Sequence, residues 1–588
     1  MVINWQMFSV FIVVFGLVVV LGFFASRWRR GNINRLQEWG LAGRRFGTIM
    51  SWFLISGDIY TAYTFIAIPG AVYASGAQGF FSLPYAIIGF VLFFLLMPKM
   101  WTIARHRGYV TPADFVRERF GSSSLALMVA LTGILATLPY IAMQMYGIQL
   151  VISEMGVPTS ITLLNFKLDV AQLIAFGIMA IYTYDGGLQG PARIAIVKDV
   201  LIWIVIIAAM IYIPPKLGGF QHIFAVVPQQ KVTLSPKQYT AYVTLVLGQA
   251  LALYLYPHAL TGVFSTNSRK SVQQNAILLP IYSFLLAFTG LLGYVAIAAG
   301  IKKSPVFGTN ATLPALFATQ FPGWFAGFSF AAIAVCALVP AAIMSIAGAN
   351  LFTRNIYKEY FHPSCTEKEE TNVARLTSLT LKFGALLFIL ALPSTEVINF
   401  QLLGGLWILQ TLPAVFLGLY THWFHAKALI VGWAGGMLIG TMMAVSQNFT
   451  SVYPLSIAGL PFPIYAGLAA LVINVLLCAV CTPVFHLFNV PTGRDAIAPA
   501  DFEPRPVIGT QPAVLVGRTA QEPPVTTGIA QQPSFPVTSP APLAPIVQPN
   551  LTSGSSGLLP VPNEPYSGFT QPIDNYELHR YNLRKFDN

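Results

Sequence analysis

The sequence predicts an all-α, polytopic membrane protein, and three observations lead to this fold class. Hydrophobic residues make up 55% of the 588 residues and charged residues only 9%, whereas an average soluble protein has about 25% charged residues. Apolar runs of the length that crosses a bilayer, about 20 residues for about 30 Å of hydrocarbon, recur up to about residue 488. Beyond that point the composition changes to Pro, Gly, Ser, Thr and Gln. We therefore predict a transmembrane domain over residues 1–488 and a disordered, Pro-rich cytoplasmic tail over residues 489–588.

The apolar runs predict about thirteen membrane-spanning helices, so the lipid bilayer is the main surrounding of the chain. They cover approximately residues 5–26, 47–73, 78–98, 124–154, 168–185, 194–215, 239–264, 275–300, 323–353, 374–394, 396–420, 427–445 and 463–488. The first run is followed at once by Arg27, Arg29 and Arg30. A cleavable signal peptide has its positive charges before the apolar run, so we expect this run to remain as the first helix.

The positive charges predict the topology of the chain rather than a nucleic-acid partner. The net charge is +12, but Arg and Lys lie in short loops instead of in one basic segment. Alternate loops are rich in them, as at Arg44, Arg105 and Arg354, whereas the opposite loops hold few. Because positively charged loops stay in the cytoplasm, we predict an outside N-terminus and an inside C-terminus in the inner or plasma membrane.

The second predicted span contains a carboxylate among helix-breaking residues. Asp58 follows Gly57 in an apolar run, and Pro69 and Gly70 come later in the same span. A charge at the centre of a membrane helix costs about 2.5–3.5 kcal/mol on insertion scales. We therefore expect Asp58 to meet a partner, an ion or a proton, with a structural hydrogen bond as the alternative. Discontinuous helices of this kind expose carbonyl groups to substrate and ion in transporters.

The seventh predicted span is also polar and interrupted. It contains Gln249, Tyr254, Tyr256, Pro257, His258 and Thr261 in otherwise apolar surroundings. Pro257 removes a backbone donor and leaves carbonyl groups without their helical partner. His258 can bind a proton near neutral pH, although a single histidine in a helix is more often held by an ordinary hydrogen bond. The span is a second candidate site.

Other polar groups in the spans have structural interpretations. Ser345 lies in the small-residue stretch Ala341–Ala349 of the ninth span, which is typical of closely packed helices. Lys198 and Asp199 lie near the start of the sixth span, where a snorkelling side chain or a local ion pair is the simplest interpretation. The sequence contains no phosphate-binding glycine loop, catalytic triad or metal-spaced His and Cys cluster. We predict neither an enzyme nor a cofactor.

Several stretches resemble the sodium:solute symporter family. They are Ile68–Tyr73, Gly186-Gly187 with Lys198-Asp199, and Asn350–Tyr357. Four longer stretches are similar to the bacterial monocarboxylate permeases of that family: Gly133–Tyr140, Tyr254–Gly262, Leu338–Ile346 and Leu402–Gln410. The resemblance covers about residues 5–488 and excludes the tail.

The resemblance implies the inverted-repeat fold of the bacterial leucine transporter, with five helices in each repeat. The two core repeats would cover about residues 47–215 and 239–420. Substrate and ion would bind between the broken second and seventh spans, near mid-membrane. The implied substrate-binding residues are His258, Tyr256, Tyr254, Thr61 and Gln249.

The resemblance also bears on the coupling ion. The family's common sodium site uses main-chain carbonyls of the second span and two adjacent hydroxyl residues of the ninth. The main-chain part aligns near Gly57 and Tyr60, but the hydroxyl pair falls on Val339 and Pro340, which have no hydroxyl. A gap would place Ser345 there and supply one hydroxyl. Proton coupling is therefore favoured over sodium coupling.

Together these observations predict a symporter that imports short monocarboxylates such as acetate, pyruvate or lactate with a proton, and Asp58 as the group that accepts the proton. The alternative within transport is Na⁺-coupled uptake of an amino acid or another organic solute, with Na⁺ near Gly57, Tyr60 and Ser345. An alternative of another class is a transporter-like sensor that signals through its tail to a partner that the sequence does not identify. A pure sensor would bind its ligand without moving it.

Overall fold

The fold was analysed in a computed structural model. It describes residues 3–503 except 28–32, 58, 158–159, 164–165, 185, 392–396 and 458. Asp58, the predicted proton-accepting residue, and residues 504–588 of the predicted tail lie outside the described residues.

The described chain is mostly helical. The helices are α1 Trp5–Arg27, α2 Leu36–Leu41, α3 Thr48–Gly57, α4 Ile68–Ser75, α5 Ser82–Arg107, α6 Pro112–Phe120, α7 Ser123–Glu154, α8 Val170–Tyr184, α9 Gln189–Lys216, α10 Gly219–Val226, α11 Gln229–Val232, α12 Tyr239–Ala252, α13 Pro257–Phe264, α14 Arg269–Leu278, α15 Ile281–Ala298, α16 Thr312–Gln320, α17 Gly323–Phe352, α18 Glu367–Ala391, α19 Val397–Leu409, α20 Leu412–Val415, α21 Ala426–Ser446 and α22 Ala466–Leu487. Two segments, Tyr63–Ala67 and Thr353–Phe361, are wound as π-helix.

Short 3₁₀ turns and two hairpins complete the connections. The 3₁₀ turns are Ala42–Arg44, Gly76–Phe81, Pro236–Gln238, Thr309–Ala311, Leu417–Leu419 and Pro499–Phe502. Strands β1 (Ser160–Leu163) and β2 (Phe166–Asp169) pair antiparallel between α7 and α8, with Ser160 opposite Asp169. Strands β3 (Val452–Ile457) and β4 (Leu460–Tyr465) do the same between α21 and α22. All four strands lie in loops that link long helices.

The long helices make this a multi-pass membrane protein. Among the described residues, nine helices are long and apolar enough to cross a membrane, or up to eleven if each of two bent helix pairs is one span. The bent pairs are Gln229–Ala252 with Pro257–Phe264, at 43°, and Val397–Leu409 with Leu412–Leu419, at 52°. Each of the thirteen predicted ranges contains helix. The second and fifth ranges contain helices shorter than a usual span, namely α3 with 10 residues and α8 with 15.

Helix α17 lies at the centre of the bundle. Its apolar stretch is entirely buried, and it packs against α1, α7, α9 and α18. Small residues permit this packing, because a Cβ added at Gly327 would collide with the main chain of Met7 and one at Gly348 would press on Leu381. The small-residue stretch of the ninth predicted span is therefore a packing surface, as its composition indicated.

Loops predicted to lie in the cytoplasm meet at one end of the bundle. Arg35, which follows α1, forms an ion pair with Glu367 at the start of α18, at 3.0 Å. Arg117 of α6 forms another with Glu359, in the π-helical segment after α17. These pairs join loops that are more than 200 residues apart in sequence. Loops that carry many basic residues alternate along the chain with loops that carry few. In the structure, the basic loops joined by these ion pairs lie next to one another.

The first residues of the predicted tail are bound to the transmembrane domain. Asp495 accepts a hydrogen bond from Arg119 of α6 at 3.0 Å, and Asp501 accepts one from Arg107 of α5 at 3.0 Å. The main-chain N–H of Ala496 donates to the carbonyl of Glu118 at 2.9 Å. The folded region therefore extends beyond residue 489. Composition did not indicate this, because charged and main-chain groups hold the segment and only isolated apolar residues, Ile497 and Phe502, pack on the core.

Candidate functional site

The second predicted span is broken, as its sequence indicated. Helix α3 ends at Gly57, and regular helix resumes only at α4, after the π-helical segment Tyr63–Ala67. Side chains satisfy main-chain groups that the break leaves without helical partners. Gln144 of α7 accepts a hydrogen bond from the N–H of Ala62 at 2.9 Å, and the Thr64 hydroxyl donates to the carbonyl of Ile59 at 3.0 Å. Irregular backbone inside a membrane protein needs such internal partners.

The carbonyl groups at this break hold the side chain of Lys198. The Lys198 ammonium donates to the carbonyl oxygen of Gly57 and to that of Tyr60 at 2.9 Å. It lies 3.0 Å from Oδ1 of Asp199, the next residue of α9. An ammonium has three donor hydrogens, so these three oxygens match its donors in number. We call these three oxygens and the ammonium that they surround the lysine cage.

The lysine cage is enclosed by aromatic side chains and excludes solvent. Lys198 is 0% exposed and Asp199 is 1% exposed. The second oxygen of Asp199 accepts a hydrogen bond from the hydroxyl of Tyr282, on α15, at 2.8 Å. The Tyr60 hydroxyl in turn donates to the main-chain carbonyl of Tyr282 at 2.7 Å. A Cβ added at Gly57 would lie 3.1 Å from the Lys198 nitrogen, so glycine permits the close approach of α3 and α9.

The seventh predicted span is broken as well. Helix α12 ends at Ala252, and α13 begins at Pro257 with Tyr256 as its N-cap residue. Proline suits the first position of a helix, because its fixed φ fits and it has no N–H that would need a partner. The first N–H groups of a helix have no acceptor within the helix, and they give its N-terminus a partial positive charge.

A small buried cavity joins the two breaks. It has a volume of about 20 Å³, which is room for about one water molecule. Its walls come from the first break, from the second break, and from α7 and α19, and they consist of Ile55, Ile59, Tyr140, Leu253, Tyr254, Tyr256, His258, Ala259 and Gln401. Among the described residues that line it, none is a lysine, arginine, aspartate or glutamate. The cavity thus lies at the N-terminal end of α13.

An aromatic cluster surrounds His258 in this cavity. The His258 ring lies 5.3 Å from the Tyr140 ring and 5.1 Å from the Tyr256 ring, measured between centroids. The Tyr256 hydroxyl donates to the main-chain carbonyl of Gln401 at 3.0 Å, which connects α19 to the second break. His258 is 3% exposed. The walls of the cavity are therefore mainly aromatic rings and their polar edges.

The chain that carries these two breaks, the buried ion pair and the cavity is similar to known transport proteins. The sodium:solute symporter family model matches residues 39–440. The chain belongs to this family. A monocarboxylate transport permease protein of Rhizobium johnstonii is 49% identical over 486 residues, which cover 81% of this chain and 96% of that protein. An uncharacterized symporter of Bacillus subtilis, YodF, is 32% identical over 443 residues, which cover 74% and 87% of the two chains.

A solved structure shows the same fold for this member of the sodium:solute symporter family. The structure is the substrate-bound, outward-open state of a Na⁺-coupled sialic acid symporter. It matches with a TM-score of 0.65 at 17% identity and covers 82% of this chain and 98% of the other. The family match and the permease relative confirm the resemblance inferred from short motifs, and they indicate a symporter for a solute.

The family name implies a bound sodium ion. The lysine cage does not fit such an ion, because its oxygens already contact the Lys198 ammonium. Carbonyl and carboxylate oxygens are ligands that hard cations prefer, so the oxygens of Gly57, Tyr60 and Asp199 suit Na⁺ in type. The Lys198 nitrogen already lies within hydrogen-bond distance of them. An ammonium and a metal ion cannot occupy one position. The Gly57 and Tyr60 carbonyls predicted for sodium are therefore engaged by a side chain of the protein.

The structure brings some of the predicted site residues together and separates others. His258, Tyr256 and Tyr254 line the cavity, whereas Thr61 and Gln249 are not among its lining residues. The Thr61 hydroxyl accepts from the N–H of Tyr63 at 3.0 Å, within the break itself.

Gln249 and Ser345 make structural hydrogen bonds. Gln249 donates to the Tyr465 hydroxyl at 2.9 Å and accepts from Gln401 at 2.7 Å. The Ser345 hydroxyl donates to the carbonyl of Ala341, one turn earlier in α17, at 2.6 Å. Neither residue is among the described lining residues of the cavity or belongs to the lysine cage, although Gln249 contacts Gln401, which lines the cavity. Their predicted site roles stay predictions.

The sequence left two interpretations of Lys198 and Asp199, a snorkelling side chain or a local ion pair. The ion pair is present at 3.0 Å, but Lys198 does not snorkel, because its side chain is fully buried and also reaches the broken part of another span. The signal was present in the sequence, because a Lys-Asp pair inside an apolar run is expensive in a membrane and usually marks a functional site. What the sequence did not give was the partner, since Gly57 and Lys198 are 141 residues apart.

Proposed function

We propose that this symporter imports short monocarboxylates, such as acetate, pyruvate or lactate, together with a proton. The cavity at the N-terminal end of α13 is the observation that carries the proposal. Tyr256, His258 and Ala259 are the N-cap, second and third residues of that helix, and all three line the cavity. A helix N-terminus favours an anion through its free N–H groups and its partial positive charge.

The size of the cavity favours a small substrate. A space of about 20 Å³ admits about one water molecule, so the walls must move outward to admit any organic solute, and a carboxylate of two or three carbons requires less movement than a larger one. The lining residues are apolar or aromatic apart from His258 and Gln401, which suits a short apolar chain next to a single charged group. The identity to a monocarboxylate permease of Rhizobium johnstonii supports the same substrate class.

Two considerations favour a proton as the coupling ion. Lys198 engages the carbonyl groups that would otherwise be available to an inorganic cation at the first break. Asp58, directly after the last residue of α3, is the carboxylate proposed to accept the proton, since a carboxylate in an apolar span is favoured in its neutral form. With the basic loops in the cytoplasm, transport would run across the inner or plasma membrane with the C-terminus inside.

Uptake into proteoliposomes tests the substrate class. Purified protein is reconstituted, an inward pH gradient is imposed, and accumulation of labelled pyruvate and lactate is compared with that of proline and sialic acid. We expect pyruvate and lactate to accumulate above protein-free vesicles and to compete with each other, and proline and sialic acid to do neither. Accumulation of proline or sialic acid in place of the monocarboxylates would contradict the proposed substrate class.

A further inference from the structure

The lysine cage has the composition of a cation-binding site. Gly57 is the last residue of α3, so its carbonyl belongs to the partially negative C-terminal end of a helix. The carbonyl of Tyr60 comes from unwound chain, and Asp199 adds a carboxylate. In transporters with discontinuous helices, helix C-terminal ends and unwound carbonyls are the groups that coordinate a transported cation.

We propose that the ammonium of Lys198 is a resident cation, bound in the lysine cage in the place that an inorganic cation such as Na⁺ would take. Lys198 supplies the positive charge that the two carbonyls and Asp199 require, and it is tethered to α9, so no ion has to be bound or released there. This inference rests on the proposed symport function and specifies that Na⁺ has no role at the first break.

A second buried lysine shows that burial alone does not make such a site. Lys382 of α18 is also 0% exposed, yet in the described part of the chain its nitrogen donates only to the carbonyl of Ser378 in the same helix, at 3.0 Å. It contacts no broken helix and no carboxylate among those residues. Lys198, in contrast, links α9 to α3 and has an acidic partner. Lys382 is therefore a matched control of equal burial.

Charge balance determines what removal of Lys198 should do. The pair of Lys198 and Asp199 has no net charge, and the other titratable groups nearest to it are Tyr282 of α15, whose hydroxyl donates to Asp199, Tyr60, and Cys336 of α17. Asp58, next to Gly57 in sequence, lies outside the described residues. Lys198→Ala leaves the Asp199 carboxylate buried without its cation and opens space beside two carbonyls. A small monovalent cation would restore both charge and ligands.

The test measures binding of Na⁺ itself, so it needs no substrate. The melting temperature of purified wild-type protein, Lys198→Ala and Lys382→Ala is recorded in detergent with 100 mM NaCl or 100 mM choline chloride at about the same ionic strength. We expect Na⁺ to raise the melting temperature of Lys198→Ala by about 2 °C or more, as ligand binding to the folded state does. The wild type and Lys382→Ala should give the same value in both salts.

Either of two results would overturn the inference. One is a Na⁺-specific rise in the wild type as large as that in Lys198→Ala, since the position would then accept Na⁺ with the lysine present. The other is no difference between Lys198→Ala and Lys382→Ala in their response to Na⁺. If Lys198→Ala does not fold, Lys198→Ser is measured in the same way, and a Na⁺-specific rise of about 2 °C or more in the wild type still overturns the inference. Failure of the proposed function would appear separately, as absent monocarboxylate uptake by the wild type.

Discussion

The two broken spans of this bundle expose opposite helix ends, and the charge proposed for each site follows from this difference. At the first break the C-terminal end of α3 and an unwound carbonyl face Lys198, a cation. At the second break the N-terminal end of α13 faces an aromatic cavity. Helix C-termini carry partial negative charge and N-termini partial positive charge. Breaking two helices at opposite ends thus favours a cation at the first break, where Asp199 adds a carboxylate, and an anion at the second.

The two positions are connected through the first break. Its main chain contacts Lys198 through Tyr60, whereas the neighbouring side chain of Ile59 lines the cavity. A movement of this short segment therefore changes both the lysine cage and the cavity. Such shared structure is what coupling between two sites requires, because each ligand must favour one arrangement of a common element.

The largest expected effect concerns the two buried lysines. Lys198→Met leaves Asp199 as a buried carboxylate without its cation, and breaking a buried pair in this way typically costs about 3–5 kcal/mol. We expect uptake to fall by about 100-fold or more in Na⁺-free medium. Lys382→Met removes a buried charge that has no acidic partner among the described residues, and should retain uptake within about a factor of three, since a more apolar span is easier to insert. Equal losses of uptake in both variants would show that the effect comes from removing any buried lysine and not from the position of Lys198 in the lysine cage.

Asp58→Asn tests whether the Asp58 carboxylate, next to Gly57 in sequence, accepts the coupling proton. The substitution preserves shape and hydrogen bonding but cannot change charge, so accumulation driven by an imposed pH gradient should disappear. Exchange of internal for external labelled substrate should continue, because it needs no net proton movement. Accumulation at the wild-type level would contradict the role of Asp58 and leave Lys198 as the only functional charge proposed at this break.

His258→Gln tests the second break. The variant removes the ring that contacts Tyr140 and Tyr256 and keeps a polar side chain. We expect KM for pyruvate to rise about tenfold, which corresponds to about 1.4 kcal/mol of binding free energy, with the protein still folded. An unchanged KM, measured from initial uptake rates, would show that the cavity is not the substrate site.

The smallest effect on transport is expected at Gln249. Its amide connects Tyr465 to Gln401 through two hydrogen bonds, and a buried partner left unsatisfied costs about 1–3 kcal/mol. Gln249→Leu should therefore lower the melting temperature while KM for pyruvate stays within about a factor of two. A tenfold change in KM with an unchanged melting temperature would show that Gln249 belongs to the substrate site, as the sequence predicted.

Helices and their interruptions were predictable from sequence, whereas contacts between distant segments were not. Apolar runs predicted the locations of the long helices, and Gly57 and Pro257 indicated the two breaks, because these properties depend on neighbouring residues. The distinction between His258, which lines the cavity, and Gln249, which braces Tyr465, depends on how α12, α19 and β4 pack. The partners of Lys198 could not be predicted for the same reason, because they follow from the packing of α9 against α3.

Substrate-induced proton movement in the absence of Na⁺ tests the central claim most directly. Pyruvate is added to weakly buffered proteoliposomes in Na⁺-free choline medium, and external pH is recorded beside protein-free vesicles. Because pyruvate is proposed to enter with a proton, we predict that its entry makes the external medium more alkaline. Because the lysine cage already contains its cation, we predict that added Na⁺ leaves the initial rate unchanged within about a factor of two. An absence of alkalinisation until Na⁺ is supplied would contradict the account.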